Sequence, residues 1–235
     1  MLKYSVIKVK VPDINRPYTY GKRSYSEPSV KAANTKMVRN IYQNYKTSIN
    51  KWGDLFETGF ELLVGFIATE SAGKMAPPNK FKATGLMQMT PAAVFDCARK
   101  WKSEVDSDLP QEVRAALEAK VPSLFKAKSL TSDIQAQIIN ALQKDADFNI
   151  MTGTMTIRWL LERFSSPIFG GQLNKVLVAY NAGPYRKILL SAPVIDTATL
   201  VASTQVPVES RGYLLKMLGK DGFMQLLVVD KVVTK

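Results

Sequence analysis

Histidine is missing from this chain, and cysteine occurs once, as Cys97, in 235 residues. Without histidine there is no His-based triad and no ordinary zinc site. One cysteine excludes an internal disulfide. No apolar run reaches the ~18–20 residues that a membrane span needs. The opening Met1-Leu2-Lys3-Tyr4-Ser5-Val6 lacks the apolar core of a secretory signal. No internal repeat is visible. These absences leave carboxylate chemistry as the natural route for any catalysis, and no metal or cofactor is expected.

What is present centres on one carboxylate. Phe56, Phe60, Leu63, Ile67 and Glu70 follow the helical period and predict a helix over about 53–70 with one apolar face. Glu70 is the last member of that face. An ionised carboxylate is costly to bury, so burial there predicts a raised pKa, which suits a general acid. Periodicity alone equally allows a frayed helix end with Glu70 in water. Ser71 follows, then a loop broken by Pro77-Pro78, then Gly85-Leu86-Met87-Gln88, and far downstream Ala179-Tyr180-Asn181-Ala182-Gly183-Pro184.

These residues, in this order, resemble the soluble lytic transglycosylase family, the lysozyme-like enzymes that cleave peptidoglycan. Glu70 and Ser71 stand at the family's spacing ahead of Gly85 and Gln88. Asp147-Phe148-Asn149, through Gly153 to Trp159-Leu160-Leu161 and Phe164, looks like the family's next helix. Ala179 to Pro184 matches a third element, and Glu209-Ser210-Arg211-Gly212-Tyr213 is similar to the closing one. The resemblance spans 52–218. It implies a mainly α, lysozyme-like catalytic domain there, with a helical insertion at 103–144, an arm at 1–51 and a tail at 219–235. A strand at 4–11 is expected to pair with the apolar tail at 223–233.

The resemblance also implies a reaction. The bond between N-acetylmuramic acid and N-acetylglucosamine is cleaved, leaving a 1,6-anhydro end, with Glu70 acting as acid and then as base. Gly85 gives a close backbone approach to the ligand. Met87 and Gln88 line sugar subsites, with core filling an equal alternative for Met87. Tyr180 orients Glu70 through its hydroxyl, while also completing an apolar stripe. Asn181 bonds substrate or loop, or caps its helix. Ser71 joins the substrate site, and Glu209 and Tyr213 support the groove; an ordinary place in the first turn of a helix is the alternative for Glu209. The family often has Ser near the substrate acetamido group where this chain has Asn79. Lys82-Ala83 and Gly73 are further departures. A goose-type lysozyme-like hydrolase is the alternative, needing a second carboxylate for which Asp96, Asp145 and Asp147 stay open. A non-catalytic wall-binding protein of a virion is the other.

Charge is placed unevenly. Of a net charge of +12, nine units fall in residues 1–51, where eleven bases meet only Asp13 and Glu27 among six tyrosines. Such a segment binds nucleic acid through phosphates and stacking, or an anionic wall, or it packs as a solvated arm. Wall or partner docking ranks ahead of nucleic acid, given the sugar chemistry downstream. The expected partners are peptidoglycan strands and, through 1–51, virion or assembly proteins. With no signal peptide expected, such an enzyme rides a phage particle or reaches the bacterial wall during phage entry or lysis. Further helices are expected at 29–45, with continuation toward Trp52 left open, from Thr90-Pro91 to about Trp101, and at 110–120, 132–142, 147–164, 172–182 and 208–218. The insertion is expected to wall the groove, contact a partner or serve as decoration.

Overall fold

The computed structural model describes residues 11–105, 107–166 and 170–235, and the chain is mainly helical. The arm carries β1 (Ile14–Pro17), β2 (Thr19–Tyr20) and β3 (Arg23–Ser24), the last two an antiparallel pair. The expected strand at 4–11 lies, except for Val11, outside the described residues. Proline in its first turn opens α1 (Pro28–Phe56), which takes the longer of the two expected courses, past Trp52, and buries Ile49, Trp52 and Phe56.

The single helix expected at 53–70 is two. Glu57 (φ 56°) and Gly59 (φ 75°) reverse the chain after α1, and the acid sits on a separate α2 (Phe60–Ser71). Phe56 therefore belongs to α1. The reversal folds Leu62, Leu63, Phe66 and Ile67 back into the core beside it.

Capping residues set the next starts. The Thr90 hydroxyl accepts from Ala93 N–H ahead of α3 (Pro91–Val105). The insertion forms α4 (Gln111–Lys120) and α5 (Ser132–Lys144), and Thr131 caps α5 by accepting from Ile134 N–H. Asp145 caps α6 (Ala146–Arg163) by accepting from Phe148 N–H. Helix α6 is buried almost all round, between α1, α3, α5 and the later α7 (Leu173–Ala182). Between α6 and α7 lies the short pair β4 (Ser165–Ser166) and β5 (Gly170–Gly171). Then follow α8 (Lys187–Leu190), α9 (Thr197–Ala202) and α10 (Val208–Leu218).

The tail departs from expectation. The partner of β1 is β6 (Gly219–Lys220), in parallel, and Gln225–Val229 is a π-helical turn. The physical reason lies in the apolar spacing. Phe223, Met224, Leu226 and Leu227 are all buried, and a strand would have sent adjacent pairs to opposite faces. No helix of the described residues is long and apolar enough to cross a membrane.

One buried side chain joins the insertion, the central helix and the turn after the acid. Asn149 on α6 is 0% exposed. Its amide donates to the Thr84 and Leu142 carbonyls at 2.9 and 3.0 Å, and its Oδ1 accepts from Met87 N–H at 2.9 Å. Gly85 is pressed onto it at φ 79°, where a Cβ would lie 2.0 Å from Asn149 Nδ2. Gly153, one turn along α6, gives Met87 the same room, since a Cβ there would sit 2.3 Å from its sulfur. The turn closes with paired bonds between Thr84 and Met89.

Asn149→Ala takes the partner from the Met87 N–H and a donor from each of the Thr84 and Leu142 carbonyls, of which Thr84 still accepts from Met89 N–H. It should cost about 2–4 kcal/mol of stability, read as a lowered urea midpoint. An unchanged midpoint would mean that the turn is held by other contacts.

Candidate active site

Two cavities, of about 650 and about 550 Å3, share Glu70, Asn181 and Glu209. The larger is walled by the arm and α10. The smaller lies between the turn at 79–90 and the end of α7. Glu70 stands at their junction, half-buried in the last turn of α2.

Its surroundings explain its acidity. Burial pushes the Glu70 pKa up from 4.5 to about 7, and the Tyr213 hydroxyl and Lys216 ammonium pull it part of the way back. The end of α2 adds to the upward push, because the carbonyls of a last turn disfavour a negative charge. Phe66, one turn before the acid, packs against both tyrosines, with ring centroids 4.8 Å from Tyr180 and 6.1 Å from Tyr213. Burial raises the pKa of both phenols, so both stay protonated. The Tyr213 hydroxyl faces the carboxyl but is sealed from solvent and lacks a partner at full hydrogen-bond geometry. The contact is therefore slightly open. Burial lowers the Lys216 pKa and Glu70 restores part of it.

The expected roles of several residues change. Tyr180 does not donate to Glu70. Its one proton goes to the Met87 carbonyl at 2.8 Å, beside Met89 Sδ at 3.1 Å. It thereby braces the turn, and Tyr213 is the phenol that faces the acid. Met87 is 0% exposed and is core. Gly85 makes its close approach to Asn149, not to a ligand. Ser71 donates to Ile67 O of its own helix at 3.3 Å and lines neither cavity. No described residue of the insertion lines either cavity. It supports the turn from behind, through the Leu142 carbonyl and a Lys82–Gln135 bond of 2.5 Å.

Other expectations meet the groove. Gln88, at φ 46°, lines the smaller cavity and donates its amide to Gly85 O at 2.9 Å, which leaves Oε1 as an acceptor for a ligand. Asn79 lines it too, while its Oδ1 accepts from Phe81 and Ala83 N–H and holds the loop. Asn181 accepts from the Ser210 hydroxyl at 2.6 Å, and its amide nitrogen has no partner among the described residues. Glu209 is exposed in both cavities. Asp96, Asp145 and Asp147 are engaged elsewhere, with Lys100, with Lys120 and the α6 start, and with the Trp52 indole.

Some lining residues went unread in the sequence. Lys216 was findable, since it lies one turn beyond Tyr213 on the same helix face. Phe81, 69% exposed on the smaller cavity's rim, and Tyr18 of the arm are aromatic surfaces flanking the acid on either side. No local pattern brings the arm to Glu70. Among the described residues no cluster of three or more Cys, Asp or Glu is placed to hold a metal. Comparison of the chain with protein-family models, with curated proteins and with solved structures finds no match.

Because Tyr213 and Lys216 both lower the Glu70 pKa, Tyr213→Phe and Lys216→Met should each raise it above about 7. NMR titration of the carboxyl reads this directly, and a downward shift would contradict it. The folded protein also holds this proton more tightly than the unfolded chain between about pH 4.5 and 7, so folding loses stability as pH rises through that window. Glu70→Gln should therefore match the parent near pH 4 and exceed it by about 1–3 kcal/mol at pH 8.

Proposed function

We propose that the chain is a peptidoglycan-cleaving lytic transglycosylase on a lysozyme-like helical scaffold. The observation that carries this reading is a carboxyl with a pKa of about 7 at the junction of two cavities. A carboxyl near neutrality can give a proton and take one back without large cost in either direction.

Protonated Glu70 delivers its proton to the glycosidic oxygen as the C1–O bond breaks. The resulting carboxylate is stabilised by the Lys216 ammonium and the Tyr213 hydroxyl. It then removes the proton from the C6 hydroxyl of the same muramic residue, whose oxygen closes on C1. The 1,6-anhydro ring forms, the proton is back on Glu70, and no water is consumed. The aromatic faces of Phe81 and Tyr18 offer flat apolar surface for sugar rings on the two sides of the bond. The basic arm supports association with an anionic wall or with a particle that delivers the enzyme there.

A hydrolytic outcome is favoured by one observation, the exposure of Glu209 in both cavities. A second carboxylate on the groove could hold an attacking water.

Mass spectrometry of fragments from purified peptidoglycan separates the two. Products with 1,6-anhydro ends are about 18 Da lighter than hydrolysis products and are the expected result. Reducing ends would transfer the base role to Glu209. Glu70→Gln should reduce the rate by at least about 10²-fold without unfolding the protein. The parent's kcat/KM should fall above about pH 7 as the acid loses its proton. Undiminished cleavage by the Gln variant would rule out this mechanism.

A further inference from the structure

We propose that the N-terminal arm is one wall of a binding site for a glycan unit whose peptide stem bears a free carboxylate, in the larger cavity lined by Arg16, Arg211 and Lys216. The inference rests on the glycan-cleaving reading of Glu70, and the arm lies outside the stretch that carries that reading.

The arm is held against α10 by more than surface contact. Asp13 N–H donates to the Leu218 carbonyl at 3.0 Å, and β1 pairs with β6 directly after the helix that bears Tyr213 and Lys216. A Cβ on Gly219 would come within 2.6 Å of the Arg16 carbonyl, so the two backbones touch. The Lys216 ammonium sits 5.0 Å from the Tyr18 ring centroid, which ties the wall to the groove floor.

The chemistry of the cavity favours an acceptor-rich anion. One donor on its lining, Nε of Arg211, is buried without a partner, while the Tyr213 hydroxyl is turned toward Glu70. Buried donors are normally hydrogen-bonded, and a guanidinium is suited to a carboxylate. Three cations and two carboxylates, Glu70 and Glu209, line the cavity. Glu209 offsets one of the cations and Glu70 is neutral while it holds its proton, so the lining keeps an excess of positive charge that suits an anion such as a carboxylate. At about 650 Å3 the space admits a sugar ring with its substituent.

The test uses full-length protein with Glu70→Gln, so that polymer is not consumed. Its binding is measured to purified sacculi, and to the same sacculi after their carboxyls are converted to neutral amides. Native sacculi should bind roughly tenfold more tightly, the worth of one charge-assisted hydrogen bond. Adding Arg16→Gln should abolish that margin, and Arg16→Lys should retain most of it. Equal binding to native and amidated sacculi would overturn the carboxylate assignment. An Arg16→Gln variant that still discriminates would overturn the role of the arm. If the unsubstituted protein cleaves sacculi in either of those cases, the glycan reading stands and only the inference about the arm falls. If it neither binds nor cleaves any sacculus, the glycan reading fails and this inference with it.

Discussion

A single carboxamide holds the groove in register. Asn149 is buried on the central helix and satisfies three backbone groups from two other segments, the turn at Thr84 and Met87 and the end of α5 at Leu142. A buried amide with every bond made is rigid, and one with a bond missing is costly. Gly85 and Gly153 supply the room that lets the turn close onto it. The Met87 carbonyl then points to the Tyr180 hydroxyl, and Gln88 is left at the rim of the smaller cavity. The residues that look most like ligand binders in the sequence are thus largely the apparatus that fixes one binder and the acid beside it.

The acid is poised by opposed influences of which burial is the strongest. Burial and the negative end of α2 resist its ionisation, while Tyr213 and Lys216 favour it. Burial wins and lifts the pKa from 4.5, and the two partners stop the rise at about 7. Deeper burial would keep the carboxyl protonated throughout, and full exposure would leave it an ordinary base. Phe66 stabilises this balance geometrically, because both phenols lean on the same ring.

Much of this was legible in the residues alone, and the failures have physical causes. Helices with a clear local start, stop or period fall near their expected places, such as α3 behind the Thr90 cap, α7 ahead of Gly183-Pro184 and α10 after Pro207. The split between α1 and α2 was missed because Glu57 takes a left-handed conformation that its side chain does not advertise. Glu70, Gln88 and Asn181, singled out by their order along the chain, all line the cavities. The switch of roles between Tyr180 and Tyr213 was not legible in that order, because which phenol reaches the carboxyl depends on the packing around Phe66. The position of the arm is a long-range fact with no local signal.

That long-range fact has a thermodynamic corollary. The arm and the region after α10 are joined by the β1–β6 pairing, by Ser26 and Lys31 on Asp221, and by Arg39 on the Val232 carbonyl. The Ser26–Asp221 bond alone closes a span of 195 residues. A ligand that touches both walls of the larger cavity loses one of them if this clasp opens. By linkage, occupancy must tighten the clasp as much as the clasp tightens binding. The two ends of the fold and any occupant of the groove therefore share one free-energy balance, and loosening either weakens the other.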